Sequence, residues 1–145
     1  MISAAVRYRD HDVLCRLART SEFTRDFSSI MFSHEGAYKK GWIRIYQNDR
    51  GEVLGFTCVR HKIQQPKTVL YFLTVAPSER GKLIGTALMR DLELQTPHPT
   101  IHFNVSHKNP NARRFYERLG YTLVREDAIS GTAWELQKSV PRKVA

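Results

Sequence analysis

The spacing of apolar and polar residues divides the chain into helix-like and strand-like segments. Apolar residues that recur every three or four positions predict helices, whereas apolar residues that alternate with polar ones, or run together between turn residues, predict strands. The predicted strands span residues 2–9, 42–47, 52–63, 68–76, 100–105, 121–127 and 132–138, and the predicted helices span residues 10–21, 21–32, 81–95 and 110–119. Segment 33–41 is predicted to be a loop. The order β-α-α-β-β-β-α-β-α-β-β predicts a mixed α/β (α+β) domain around one sheet.

Two of these helices carry apolar residues that are expected to face the core. Helical spacing places them on one side of each helix, where they can pack against the sheet. In the second helix these residues are Phe23, Phe27, Ile30 and Met31, and in the third they are Leu83, Ala87, Leu88 and either Leu92 or Leu94.

The length of 145 residues suits one domain, which we place at residues 1–138, with a loosely docked tail at residues 139–145. No run approaches the ~18 apolar residues that a membrane helix requires, and no apolar signal segment is expected at the N-terminus. Cys15 and Cys58 have no metal-binding or redox spacing, so we expect free thiols, a cytoplasmic location and no bound metal.

The charge of the chain is strongly positive. Lys and Arg number 23 against 14 Asp and Glu, which gives a net charge of +9 at pH 7. Such a surplus attracts polyanions, including nucleic acid and phosphorylated cofactors. A solvated basic face would also explain it.

The segment LTVAPSERGKLIGTALMRDLE, residues 73–93, joins a strand to a helix through a basic loop. The first turn of a helix has unpaired amide groups and the positive end of the helix dipole. Arg80, Gly81, Lys82 and Gly85 would add positive charge and room for a close approach of the backbone. The pattern predicts an anion site, although a purely structural turn would also account for the loop.

Two motifs in this part of the chain carry a family resemblance. LTVAPSERGKLIGTALM and, downstream, NVSHKNPNARRFYERLGY resemble the acyl-CoA-binding and closing segments of the Gcn5-related N-acetyltransferases (GNAT). The resemblance covers about residues 68–125, and the first sixty residues match only in element order. It implies a mostly antiparallel central sheet flanked by helices, with splayed fourth and fifth strands, and transfer of an acetyl group from acetyl-CoA to an amine.

The resemblance also assigns roles to individual residues. Backbone groups of Leu73 and Val75 would pair with the pantetheine arm, and Asn109 would hydrogen-bond to it. Tyr116 would protonate the leaving thiolate as a general acid, since a phenol with an ordinary pKa near ~10 is protonated at neutral pH. The pyrophosphate would lie on the backbone of Arg80, Gly81, Lys82, Leu83, Ile84, Gly85 and Thr86, with Arg80 and Lys82 adding positive charge.

The sequence departs from the family pattern at Leu83, which stands where relatives carry their first motif glycine. We expect the helix to have begun there, so that Leu83 keeps a negative φ and turns its side chain inward. Weaker binding by a loop that lies farther out, or a donor other than coenzyme A, are the alternatives.

The general base is the second departure. The fourth strand has no Asp or Glu, and Asn104 stands where relatives often have glutamate. The candidate bases are Glu35, His34, His107 and His61. A water chain, or an acceptor that needs no base, remains open.

Aromatic and basic residues interleave in the part that forms the acceptor side in the family: Phe27, Tyr38, Lys39, Lys40, Trp42 and Arg44. This composition favours a nucleic-acid or aminoacyl-tRNA amine as acceptor, followed by a small-molecule amine and then a protein amine. A non-catalytic module that binds nucleic acid or senses coenzyme A is the alternative from another class. Both a monomer and a homodimer are open.

Overall fold

The computed structural model describes residues 1–25, 27, 34–126 and 131–141. The element order agrees with the predicted one. The strands are β1 (Ile2–Ala4), β2 (Ile43–Gln47), β3 (Val53–Lys62), β4 (Lys67–Val75), β5 (Thr100–Ser106), β6 (Thr122–Glu126) and β7 (Ala133–Ser139). The helices are α1 (Arg7–Ala18), α2 (His34–Lys39), α3 (Ile84–Gln95) and α4 (Pro110–Arg118), and a 3₁₀ turn covers Pro77–Glu79.

The strands form one seven-stranded sheet in the order β1-β2-β3-β4-β5-β7-β6. The pairings β1–β2, β2–β3, β5–β7 and β6–β7 are antiparallel. Strands β4 and β5 are parallel, with Thr68 opposite Ile101 and Val69 opposite His102. The predicted fold class, a mixed and mostly antiparallel sheet with helices, is therefore confirmed. The splaying of β4 and β5 stays a prediction.

Four local predictions near the N-terminus are wrong. The first strand ends at Ala4, and α1 begins at Arg7 rather than at residue 10. The reason is Asp10, whose carboxylate accepts a 2.7 Å hydrogen bond from the Val6 amide and so satisfies a donor at the helix start. The predicted loop at 33–41 contains α2, whereas residues 21–24 of the predicted second helix form a bend and turns, and Arg25 has a 3₁₀ conformation. Residues 26 and 28–32 of that helix lie outside the described residues.

The chain divides into two compact units, residues 1–60 with 70–95 and residues 61–69 with 96–145. The first unit has an aromatic centre in which Phe27 packs against Phe56 and Phe72, with ring centroids 5.0 and 5.5 Å apart. Phe27 is fully buried as predicted, but Phe23 is 39% exposed. Ile30 and Met31 lie outside the described residues.

Helix α3 is fixed to the sheet of the first unit by a close approach and an ion pair. A Cβ at Gly55 would lie 2.8 Å from the Thr74 carbonyl oxygen and 3.2 Å from the Leu88 side chain, so only glycine fits there. The Arg44 guanidinium donates two hydrogen bonds, 2.8 and 3.0 Å long, to the Asp91 carboxylate. Leu88 and Leu92 are buried as predicted.

The second unit is organised around Phe103 on β5, which packs against Tyr116 and Tyr121 at centroid distances of 4.3 and 5.1 Å. The Lys138 ammonium donates a 2.8 Å hydrogen bond to the Leu119 carbonyl and so caps α4. The docked chain reaches slightly beyond the predicted boundary at 138. Val140 is buried, and its amide donates to the Pro99 carbonyl.

Cys15 and Cys58 are both buried free thiols, as predicted. Burial raises the pKa of both thiols, that of Cys58 to about 12. No helix in the described part of the chain is long and apolar enough to cross a membrane.

His61 belongs to a buried polar cluster in the second unit. Its Nδ1 lies 2.6 Å from the Thr68 hydroxyl, which also hydrogen-bonds to the Thr96 hydroxyl. Burial, and then the nearby His98, lower the pKa of His61 to about 4. A group with that pKa binds protons weakly at neutral pH, which makes His61 the weakest of the candidate bases.

The lowered pKa of His61 predicts a loss of stability in acid. The unfolded chain protonates His61 near pH 6.5, whereas the folded chain does so only near pH 4. The neutral, buried His61 therefore makes its full contribution to the free energy of unfolding above pH 6.5, and this contribution is lost as the pH falls to about 4. Urea unfolding at pH 7 and pH 4.5 should show that the native protein loses about 1–2 kcal/mol more than His61→Asn, after allowance for solvent screening. Equal losses of unfolding free energy in both proteins would contradict the lowered pKa of His61.

Candidate functional site

The loop that follows β4 leaves a run of backbone amides unpaired. After the 3₁₀ turn, Gly81 has φ +83° and Leu83 has φ +66°, and α3 begins at Ile84. The Arg80 amide donates to Pro77 and the Ala87 amide donates to Leu83, but within the described residues the amides of 81–86 donate no backbone hydrogen bond. Such a concave run at the positive end of a helix is suited to bind a phosphate-like anion.

Leu83 behaves differently from the prediction. It precedes the helix, its φ is positive, and its side chain is 74% exposed instead of buried. The turn into α3 needs a left-handed residue at this position, and leucine adopts that conformation at a cost of roughly 1–2 kcal/mol. The backbone therefore has the left-handed geometry that suits glycine, and the side chain projects into solvent. Leu94, another candidate for the inner side, is also exposed at 62%.

The two cations of the loop are not equivalent. Lys82 forms a 3.1 Å ion pair with Glu79 and is already partly neutralised. Arg80 is exposed and has no ion pair with any residue that the structure describes. Arg80 is therefore the cation of this loop that is open to a ligand.

Leu73 and Val75 are half-buried residues near the end of β4, and Thr74 lies between them. Thr74 is 2% exposed, and its hydroxyl oxygen has no hydrogen-bond partner in the described residues. A buried hydroxyl without a partner is costly, and it marks this end of β4 as a place where a ligand can supply one. Sequence reasoning missed Thr74 because one threonine in the apolar run VLYFLTV reads as part of a strand.

Asn109 is the N-cap of α4 in the second unit. Its Oδ1 accepts a 3.3 Å hydrogen bond from the Ala112 amide, and Pro110 occupies the first turn. The capping bond uses the side-chain oxygen and leaves the side-chain amide to donate to another group. The sequence located the start of this helix correctly.

Tyr116 lies on the buried side of α4 and is 8% exposed. Its ring packs against Phe103 and lies near Phe115 and Tyr121. Burial raises the pKa of the phenol above its ordinary value, so the group stays protonated at neutral pH. No described residue hydrogen-bonds to its hydroxyl, which leaves this proton for a ligand.

His107 follows β5 and is held on three sides within the second unit. Its Nε2 lies 2.6 Å from a Glu126 carboxylate oxygen, and its amide donates a 2.9 Å hydrogen bond to the Thr132 carbonyl. Its ring packs on Trp134 at a centroid distance of 4.6 Å, and the Arg113 guanidinium lies 4.6 Å from the same indole. In the neutral tautomer whose Nε2–H donates to this carboxylate, Nδ1 is the hydrogen-bond acceptor of the ring.

His107 also lines a shallow pocket, together with Ser106, Lys108, Gly131 and Thr132. Sequence reasoning named His107 but did not bring it together with Glu126, Trp134 and Arg113. These residues come from β6, β7 and α4, and no local sequence signal indicates that they meet.

Two further candidate bases, Glu35 and His34, belong to the first unit. Glu35 on α2 forms a 3.3 Å ion pair with Lys39 and has a 64% exposed side chain. It lines another shallow pocket with Ala5, Val6, Arg7, Tyr8, Tyr38 and Lys39. His34 is the first residue of α2, but its side chain lies outside the described part of the structure.

The predicted aromatic and basic acceptor surface is wrong for three of its members. Phe27 is fully buried, and Tyr38 is buried with its hydroxyl 2.9 Å from His11 Nδ1. Arg44 is held by Asp91. Lys40 lies over the Trp42 ring at 4.5 Å, and Lys39 is exposed. The described residues contain no group of three or more His, Cys, Asp or Glu that could hold a metal ion.

The model of the acetyltransferase (GNAT) family matches residues 9–121. A 5-NmdU N-acetyltransferase of Pseudomonas phage PaMx11 is 42% identical over 118 residues, which cover 81% of this chain and 84% of that protein. These are similarities over most of the length of both chains.

Solved structures share the fold at low identity. Ard1 from Thermoplasma volcanium has a TM-score of 0.77 at 18% identity, with 98% of each chain covered. The PaiA N-acetyltransferase from Thermoplasma acidophilum, solved in complex with coenzyme A, has a TM-score of 0.73 at 18% identity, and the match covers 96% of this chain and 98% of that chain.

The conformation of Leu83 predicts the effect of replacing it by glycine. Leu83→Gly should raise the free energy of unfolding by about 1 kcal/mol, because glycine adopts a positive φ without a Cβ clash. Coenzyme A should bind equally well or more tightly, as measured by calorimetric titration. The matched control is Leu94→Gly, an exposed leucine inside α3, which should lower stability by about 1 kcal/mol. Marked weakening of coenzyme A binding by Leu83→Gly would contradict the assigned role of the loop.

Proposed function

The chain belongs to the GNAT acetyltransferase family and is an acyl-CoA-dependent N-acyltransferase, and from this premise we propose that it transfers an acetyl group from acetyl-CoA to the amine of a nucleotide in nucleic acid, of the 5-NmdU kind. The observation that supports acetyl-CoA as the acetyl donor is the run of amides at 81–86, which donate no backbone hydrogen bond to a described residue. The acceptor half rests on the similarity to a 5-NmdU N-acetyltransferase, and the net charge of +9 supports it.

The family uses acetyl-CoA, and the donor residues fit such a ligand. The amides of 81–86, and Arg80, which has no ion pair with a described residue, are suited to the pyrophosphate, which needs several donors and positive charge. Backbone groups of Leu73 and Val75 would pair with the pantetheine arm, and the unused side-chain amide of Asn109 would donate to it. When bound, acetyl-CoA supplies the activated thioester.

The reaction requires two proton movements. The neutral acceptor amine attacks the thioester carbonyl, a C–N bond forms, and the C–S bond breaks. The nitrogen loses a proton to a base, and the thiolate gains one from an acid. Tyr116 suits the second role because its buried phenol is protonated and its hydroxyl has no partner among the described residues.

His107 suits the first role better than Glu35 and His61. The Glu126 carboxylate fixes the ring and the tautomer, and Trp134 limits its rotation. Glu35 is an exposed carboxylate that already pairs with Lys39, and His61 has a lowered pKa. Glu126 acts through His107 and is therefore a positioning residue.

The function is tested by incubating the purified protein with acetyl-CoA and 5-NmdU, as the free nucleoside and within a DNA oligonucleotide, and by measuring acetylated product by mass spectrometry. Tyr116→Phe should slow turnover by about 10²-fold with little change in coenzyme A affinity, because it removes only the acidic proton. The matched control is Tyr121→Phe in the same aromatic cluster, which should keep most of the activity. A parallel loss of turnover and affinity in Tyr116→Phe would make Tyr116 structural.

The same assay separates the remaining alternatives. Acetylation of small-molecule amines alone would overturn the nucleotide acceptor. No acetylation of any amine, with nucleic-acid binding retained, would instead support a non-catalytic module.

The pair of His107 and Glu126 predicts graded losses of activity. His107→Gln should lower kcat by about 10²-fold or more, since it removes the base. Glu126→Ala should lower kcat with little change in KM, and Glu126→Gln should restore part of the loss because its amide oxygen still accepts the Nε2–H bond. The control is Glu135→Ala, which breaks the ion pair with Arg125 and should keep native kcat. A Glu126→Ala enzyme as active as this control would refute the positioning role.

A further inference from the structure

A stripe of exposed basic residues runs along α4 from the pocket at His107. Asn111, Arg114 and Arg118 of α4 follow one another at intervals of three and four residues, the spacing that places side chains on one helix face, and Lys108 lies just before the helix. Lys108, Arg114 and Arg118 are exposed, whereas Tyr116 faces the buried side of the helix. The helical rise of about 1.5 Å per residue places Arg114 and Arg118 about 6 Å apart along the axis.

The charges of this stripe are not neutralised within the described residues. Glu117, the acidic residue of α4, pairs with Arg113 at 3.4 Å. No ion pair in the part of the chain that the structure describes involves Lys108, Arg114 or Arg118. The Arg114 guanidinium donates to the Asn111 side-chain oxygen, a neutral partner that orients it along the helix without cancelling its charge.

The stripe begins at the pocket that is lined by His107, the proposed base. Lys108 lines the same pocket as His107, directly before α4. The described residues of the second unit include eight Lys and Arg but three Glu and no Asp, so the surroundings reinforce the positive charge. An arginine fork binds phosphate oxygens with two parallel hydrogen bonds, and lysine adds a point charge.

We propose that Lys108, Arg114 and Arg118 bind the sugar–phosphate backbone of a polynucleotide whose amine-bearing base enters the pocket at His107. The inference rests on the proposed nucleotide acceptor and extends it, because it makes the strand, rather than the free nucleotide, the favoured substrate. Phosphate contacts of this kind position a substrate without reading its sequence.

The test compares Arg114→Gln/Arg118→Gln with the control Arg16→Gln/Arg19→Gln, which removes two exposed arginines in and next to α1. Initial rates are measured with a single-stranded DNA oligonucleotide carrying 5-NmdU and with the free nucleoside, between 50 and 200 mM salt. The α4 variant should raise KM for the oligonucleotide roughly tenfold with unchanged kcat, and it should lower the salt slope of log KM by about 1.4. KM for the nucleoside and for acetyl-CoA should match the control.

The other outcomes decide about the inference in distinct ways. Equal behaviour of the two double variants would make the stripe an ordinary solvated surface. A raised KM for acetyl-CoA would assign it to a phosphate of the donor. If the native enzyme acetylates neither substrate, the proposed function fails, and DNA affinity by fluorescence anisotropy then decides about the stripe. A loss of affinity in the α4 variant alone would support it, and equal affinity in both variants would refute it.

Discussion

The amides that begin α3 cannot be paired within the helix, and this constraint shapes the first unit. Gly55 lets α3 lie close to the sheet, and the ion pair between Arg44 and Asp91 fixes it there. The left-handed conformation of Leu83 then turns the chain so that the loop and the first helical turn leave their amides open. The proposed anion site is therefore a feature of the backbone, held in place by packing, and the Leu83 side chain projects into solvent.

In the second unit, packing determines the protonation of Tyr116 and the orientation of His107. Packing against Phe103 keeps the Tyr116 phenol away from water, and this raises its pKa and preserves the proton that a general acid must donate. His107 is exposed by comparison, and its orientation comes from a carboxylate and an indole instead. The two groups thus support the proposed acid and base roles by different physical means.

The net charge of the chain says little until the ion pairs are known. Several cations, among them Arg44 and Lys82, are held by nearby carboxylates and cannot attract a polyanion with their full charge. Arg80 in one unit, and Lys108, Arg114 and Arg118 in the other, are among the exposed cations that pair with no described carboxylate. They are the positions at which the proposed donor and the proposed polynucleotide acceptor would place their phosphates.

The sequence by itself determined the order of the elements, the basic loop between β4 and α3, the Asn109 cap of α4, and Tyr116 as a residue of interest. These features depend on neighbours in the chain, since periodicity, capping and turn chemistry act over a few residues. Only the tertiary structure decided the exposure and positive φ of Leu83, the burial of Tyr38, and the partners of His107. Each of these depends on residues far apart in sequence, because burial and long-range pairing arise only when separate strands and helices pack together.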